Sequence, residues 1–259
     1  MLPNLSRLYF NPLVIQISRM WLKELFRRGQ DRNQLWMGHD SITKAAFIMT
    51  KAQLYVPSGS RHLDIACGSG QILSTFNKIC SKSIGVDLSK HCLAKCRQQA
   101  LSVIRANINE NLPFKNETFD LVTLISTIEH VSYPNELLKE VNRILSPNGL
   151  IVIQIPNPYF PIDLHYFLPL YGYLPLFIQK IYRRLLAGEG YSINYNTIQI
   201  SKGDVEKIFA DYDQVYAQDI VYPVEVAPNW LRPFYSFYKT SLGRLFPTGH
   251  LFIYRKSNN

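Results

Sequence analysis

Acid is in short supply relative to base: 19 Asp and Glu stand against 28 Lys and Arg, leaving a formal net charge of +9. That balance favours anionic contacts, whether an acidic or phosphorylated substrate, nucleic acid or an acidic membrane surface. No Lys/Arg block exceeds short pairs such as Arg27-Arg28 and Arg183-Arg184, so a solvated basic surface and a dedicated anion patch both stay open. Cysteine is also scarce. The four residues Cys67, Cys80, Cys92 and Cys96 show neither paired C-x-x-C spacing nor a histidine pattern typical of zinc, which points to reduced, structural thiols and fits an intracellular compartment. No segment approaches the ~20 uninterrupted apolar residues of a spanning helix. The apolar stretch Leu8 to Ile17 is broken by Asn11 and Pro12 without a small-residue cleavage signature, so neither a signal peptide nor a membrane span is expected. Internal repeats and low-complexity tracts are missing as well.

What is present suffices for a full core: 259 residues, 47% of them hydrophobic. Residues 13 to 28 place Val14, Ile17, Trp21 and Leu25 at helical spacing with Arg19, Lys23 and Arg27 between them, an amphipathic helix that packs on the domain or lies on a membrane surface. A second helix is expected from Ser41 to Tyr55, before a loop at Pro57-Ser58-Gly59. From Arg61 onward apolar strands alternate with helices, with strands at 62–67, 82–87, 102–106, 119–125 and 149–155. A helix is expected from Asn135 to Leu145, stopped by Pro147-Asn148-Gly149.

Near-continuous apolar strands such as "FDLVTLI" and "GLIVIQI" require a sheet covered on both faces. After Pro156 the alternation lapses for about forty Pro- and Tyr-rich residues, which read as a packed insertion. Ser201-Lys202-Gly203-Asp204 matches a capping box opening a helix through Phe209. "QVYAQDIVYP" and "HLFIYRK" read as two closing strands, with a further insertion around Trp230 to Leu245. The expected class is α/β: a doubly wound, Rossmann-like, seven-stranded and mostly parallel sheet with helices on both faces and a helical, aromatic lid insertion. The expected division is 1–58 for N-terminal helices covering the site, 59–157 for the cofactor-binding core, 158–200 for the lid and 201–259 for completion of the core.

In such sheets ligands bind at the carboxyl ends of the strands. There lies "HLDIACGSGQIL", where Gly68 and Gly70 allow close backbone approach and Asp64 adds an acceptor-only carboxylate. A dinucleotide fingerprint would place a third Gly where Leu73 stands. A carboxylate beside the turn also disfavours a pyrophosphate and favours a cationic ligand such as an amino acid moiety. Asp87, seventeen residues beyond Gly70, suits a ribose diol. The structural alternative is that Asp64 and Asp87 cap strand ends through backbone amides.

Together with "ANINENLPF", "FDLVTLISTIEHV" and "EVNRILSPNGLIVIQIPN", these stretches resemble the class I S-adenosylmethionine-dependent methyltransferases, in particular the small-molecule group that includes ubiquinone-biosynthesis O-methyltransferases, over about residues 60 to 157. The resemblance implies that Asp64, Ala66, Gly68 and Gly70 hold the methionine end of S-adenosylmethionine and Asp87 the ribose. It puts Leu88, Asn107 and Ile108 around the adenine, and Ser126 and Ile128 near the sulfonium and its methyl group. The chain departs from the family in having Ala66 where Gly is common, Asn107 where Asp is common, and Ser126 where ubiquinone-type enzymes often show a metal-binding Glu; no metal is assigned.

Methyl transfer is an in-line displacement governed by positioning. For an oxygen nucleophile, His130 and His165 are the candidate bases, because imidazole titrates near neutral pH. Glu129 and His130 alternatively serve as structural hydrogen-bonding groups, and His165 and the aromatics Tyr159, Phe160, Tyr166 and Phe167 as lid packing. The apolar, aromatic insertion with basic punctuation points to a small-molecule acceptor that is aromatic, lipid-linked, amphipathic or acidic, and to a cytoplasmic protein, at most peripheral to a membrane. A nucleic-acid acceptor is disfavoured: "STIEHV" lacks the N/D-P-P-Y/F pattern resembling base-methylating enzymes. A non-catalytic module that keeps the fold is the other reading, supported by Ala66 and Asn107.

Overall fold

A computed structural model describes residues 43–161, 170–187, 199–221 and 245–257. The expected helix over 13–28, His165, Tyr166 and Phe167 in the insertion, and all but Leu245 of the stretch from Trp230 lie outside the described residues.

Seven strands form one sheet: β1 (Arg61–Ile65), β2 (Lys82–Asp87), β3 (Val103–Arg105), β4 (Phe119–Ile125), β5 (Leu145–Pro156), β6 (Tyr212–Ile220) and β7 (Gly249–Lys256). Their order is β3-β2-β1-β4-β5-β7-β6. All pairs from β3 to β5 are parallel, and β7 runs antiparallel to both β5 and β6. The order reverses between β1 and β4, so the carboxyl ends of these two strands flank the crevice in which an open α/β sheet binds ligands.

Alternate residues of β5 divide the core between the faces. Ile151, Ile153 and Ile155 join a cluster with Leu137 and Val141 of α4 (Pro134–Ile144) and Val205 of α6 (Lys202–Ile208). Leu150 and Val152 join a second cluster with Ile48 and Ala52 of α1 (43–52) and Phe76 of α2 (Gln71–Phe76). Each sheet face is thus sealed by helices, which accounts for the almost unbroken apolar runs in β4 and β5. Helix α4 forms where Pro134 occupies the first turn, where its missing N–H is not needed, and buries Leu137, Val141 and Ile144 at helical spacing. In α6 the capping box is complete: Ser201 Oγ accepts from the Asp204 amide, and the Asp204 carboxylate accepts from the Ser201 amide.

Several boundaries differ from those expected. Strand β1 stops at Ile65, because Ala66 turns the chain into left-handed backbone at φ 58°. The Pro147-Asn148-Gly149 stop lies inside β5, whose pairing with β4 jumps from Phe119↔Leu145 to Leu121↔Leu150. Asn148 takes the left-handed conformation at φ 59°, and a Cβ on Gly149 would meet the Leu145 side chain at 2.6 Å, so the excursion closes tightly within the strand. After β5 the insertion begins as an aromatic cluster. The Tyr159 and Tyr173 rings lie 5.7 Å apart, the Tyr173 hydroxyl donates to the Tyr159 carbonyl, and α5 (Leu176–Ala187) follows as a lid-like element. Among the described residues no helix is long and apolar enough to cross a membrane.

Candidate active site

The turn from Ala66 to Gly70 links β1 to α2 and carries three left-handed residues: Ala66, Gly68 (φ 51°) and Gly70 (φ 86°). A Cβ on Gly70 would strike Leu101 Cδ1 at 2.6 Å, whereas one on Gly68 would meet nothing within 4 Å. Gly70 is therefore required by packing, and Gly68 leaves its open side to a ligand. The glycine absent at Leu73 has a counterpart across the contact. Leu73 is fully buried, and a Cβ on Gly85 of β2 would lie 2.8 Å from its Cδ2, so the close helix–strand approach is made by a glycine on the strand.

Strand period and register assemble a buried polar row behind the turn. His62 and Asp64 share one face of β1, Ser83 lies opposite His62, and Thr123 opposite Asp64. Thr123 Oγ1 donates to Asp64 Oδ1 at 2.6 Å; His62 Nε2 lies 2.9 Å from Thr123 Oγ1 and its Nδ1 3.2 Å from Ser83 Oγ. All four residues are buried. Asp64 Oδ2 is equally buried and has no partner in hydrogen-bond geometry. Burial pushes the Asp64 carboxyl up to about 7, against the pull of Thr123 and the Leu73 amide, and nearby Asp87 adds to the rise. Burial likewise pushes His62 down to about 3, so its ring is neutral. Burial also raises the Cys67 and Cys96 thiols flanking the turn, which suppresses their thiolate form.

At the end of β2, Asp87 ties the turn to the second strand. Its Oδ2 accepts from the Gly68 amide at 2.9 Å and its Oδ1 from the Ser89 amide at 2.8 Å. Capping does not exhaust this carboxylate, because each oxygen keeps a further lone pair. Leu88 is 55% exposed beside it. Asn107 follows β3 and is held by its own loop, Oδ1 accepting from the Asn109 amide and Nδ2 donating to Glu110. Ile108 packs partly buried against the core.

Beyond β4, Ser126 takes left-handed backbone at φ 50°, its amide bonded to the Gln154 carbonyl. Ser126 Oγ donates to Gln154 Oε1 at 2.9 Å and accepts from Lys44 Nζ of α1 at 2.6 Å. The Ile128 side chain goes into the core, Glu129 is 3% exposed, and His130 is half-buried at the end of the same 3-10 turn.

The structure thus brings Asp64, Ala66, Gly68, Gly70, Asp87 and Leu88 together at the β1 and β2 ends, with Ser126 across the crevice. Sequence reasoning missed His62, Ser83, Thr123, Gly85, Lys44 and Gln154. A polar residue inside an apolar run marked His62, Thr123 and Gln154. Nothing local marked Lys44, which meets Ser126 across 82 residues. Among the described residues no group of three or more His, Cys, Asp or Glu is placed to hold a metal ion.

This architecture is the class I S-adenosylmethionine-dependent methyltransferase fold, a cofactor-binding Rossmann-like sheet closed by an antiparallel seventh strand. Residues 63–153 match the family model described as Methyltransferase domain. An uncharacterized protein of Methanocaldococcus jannaschii is 35% identical over 101 residues, 39% of this chain and 46% of that protein. A demethylmenaquinone methyltransferase of Staphylococcus saprophyticus is 30% identical over 118 residues, 42% of this chain and 51% of that enzyme. The chain spans about half the length of these curated relatives. In fold it is similar to an S-adenosylmethionine-dependent methyltransferase from Mesorhizobium loti, with TM-score 0.57 and 16% identity over 80% of this chain and 96% of that one. It is also similar to the [4+2]-cyclase SpnF, with TM-score 0.55 and 13% identity over 84% and 82%. One fold therefore carries two chemistries, and the site has to argue the activity.

Proposed function

We propose that the protein is an S-adenosylmethionine-dependent methyltransferase acting on a small acceptor that is apolar or amphipathic, aromatic or lipid-linked. The observation that carries this reading is the unpartnered, buried Asp64 Oδ2 at the end of the strand that leads into the turn of Gly68. A buried acceptor calls for a donor, and the cofactor's ammonium group is one of matching charge. Asp64, Ala66, Gly68 and Gly70 would hold the methionine end, Asp87 the ribose hydroxyls, and Leu88, Asn107 and Ile108 the adenine. Ser126 and the backbone at Ile128 would border the reacting methyl group. S-adenosylmethionine supplies an electrophilic methyl carbon on a sulfonium, so the protein has to orient the acceptor and exclude water. His130, after β4, and His165 of the insertion are the proposed proton acceptors for an oxygen nucleophile.

On the acceptor side, Tyr159, Tyr173, Leu176, Phe177 and Ile181 are exposed large apolar residues of the lid-like insertion. This surface and the similarity to an enzyme named for demethylmenaquinone support a quinone-like or lipid-linked acceptor. With exposed Lys180 on α5, it also supports peripheral contact with a lipid surface. Lys44 at Ser126 supports an acceptor with an ionised oxygen. Residues 158–200 would form the cover that selects the acceptor, over the 59–157 core. The test is methyl transfer from labelled S-adenosylmethionine to a panel of hydroxylated aromatic and quinol acceptors. Transfer to one of them supports the reading. Cofactor binding without transfer to any small molecule would favour a non-catalytic module, and cyclisation without transfer a cyclase.

A further inference from the structure

We propose that Thr123 and His62 are positioning residues: a one-way hydrogen-bond chain from Ser83 through His62 and Thr123 fixes the Asp64 carboxylate and makes Oδ2 the oxygen offered to the cofactor's ammonium group. The inference rests on the S-adenosylmethionine reading above. It follows from counting protons. An ionised carboxylate only accepts, so the single Thr123 hydroxyl proton goes to Asp64 Oδ1. Thr123 Oγ1 then has only lone pairs for His62, so His62 Nε2 carries the ring proton. A neutral imidazole has one such proton, so Nδ1 is an acceptor and the Ser83 hydroxyl donates to it. The His62 ring is locked further by Phe76, with centroids 4.9 Å apart.

The chain makes Asp64 a two-state group. Placing a proton on Oδ1 reverses every bond in the row and moves the His62 proton from Nε2 to Nδ1; an ionised Asp64 restores the first direction. The other titratable groups facing Asp64 are Asp87 from β2, Cys67 from the turn and Cys96 from α3 (Lys90–Gln98), none of them a cation. Thr123 therefore supplies, beside the Leu73 amide, a fixed hydrogen bond that favours the ionised state before the cofactor arrives, and His62 orients Thr123.

The experiment is calorimetric titration with S-adenosylhomocysteine from about pH 5.5 to about 9 for the native protein, Thr123→Val and Thr123→Ser, paired with nitrogen-15 spectra of His62. Thr123→Val is expected to move the acid-side loss of affinity up by about one pH unit, giving roughly tenfold weaker binding below the midpoint and little change at the alkaline end. Thr123→Ser, which keeps the hydroxyl, restores the native profile. The native His62 spectrum should show the Nε2–H tautomer. A uniform loss of affinity across the pH range in Thr123→Val, an unchanged profile, or an Nδ1–H tautomer at the alkaline end overturns the chain's role while the cofactor reading stands. A native protein that does not bind S-adenosylhomocysteine at any pH overturns both. Thermal melts of the variants show that each is folded, and the tautomer of His62 in the native protein carries the test if Thr123→Val is not.

Discussion

The β1–β2 side of the crevice and the β4–β5 side are made differently. At β1 and β2, acids are fixed by backbone amides and a buried hydroxyl: Asp87 by the Gly68 and Ser89 amides, Asp64 by Thr123. At β4 and β5, a lysine from a distant helix reaches a serine that in turn donates to a glutamine, and the insertion beyond them shows exposed apolar side chains. The first side is fixed and polar, and it is the side proposed to hold the cofactor. The second is a surface with exposed apolar side chains and Lys44 at its edge, the side proposed to meet the acceptor. The family match covers residues 63–153 and stops before the insertion.

Asp64→Asn breaks the comparison most strongly. It removes the charge proposed to face the cofactor's ammonium group, and S-adenosylhomocysteine affinity measured by calorimetry is expected to fall about 100-fold, some ~3 kcal/mol. The same variant should be more stable to denaturant near pH 8. The folded-state Asp64 pKa of about 7 lies above its ordinary 3.8, so ionisation opposes folding as pH rises through that window.

The next effect is the pH dependence of stability. His62 is pushed down to about 3 from 6.5, so the unfolded chain takes up its proton first and stability is lost as pH falls through that window. Asp64 acts in the opposite sense, adding stability as pH falls from about 7 towards 4. Native unfolding free energy should be nearly flat between pH 4 and 6.5, whereas Asp64→Asn should show the His62 slope, up to ~1.4 kcal/mol per pH unit. Parallel slopes in the two proteins would count against the buried row as described.

Lys44→Met sharpens the contrast between the sides. Its S-adenosylhomocysteine affinity should stay within about twofold of native, while kcat/KM for acceptors with an ionised oxygen falls about tenfold. A matching loss of cofactor affinity would move Lys44 to the cofactor side. The smallest effect is that of Ala66→Gly, which relieves a left-handed alanine and should raise stability by at most ~1 kcal/mol, or about 2–4 °C in Tm.

The turn and strand ends proposed to hold the cofactor were legible in the sequence because their parts are local. Gly68 and Gly70 share one turn, Asp64 and Asp87 lie at the ends of two strands, and hydrophobic periodicity marks the strands around them. The replacement of a helix glycine by Gly85 was not legible, because it depends on which strand faces Leu73. Nor was the row from Ser83 to Asp64: it exists only once β1, β2 and β4 are in register. Ala66 was visible as a departure, but its left-handed backbone was not. The Pro147-Asn148-Gly149 stop misled because the chain there leaves and re-enters one strand. Lys44 was hidden for the simplest reason, since no spacing rule connects a helix to a strand end 82 residues away.

The most direct test of the central claim is equilibrium titration of the native protein and of Asp87→Ala with S-adenosylmethionine. The account predicts saturable one-to-one binding by the native protein and a loss of about 100-fold in Asp87→Ala, whose Gly68 and ribose contacts disappear together. Absence of native binding, or equal affinity in the two proteins, would contradict it.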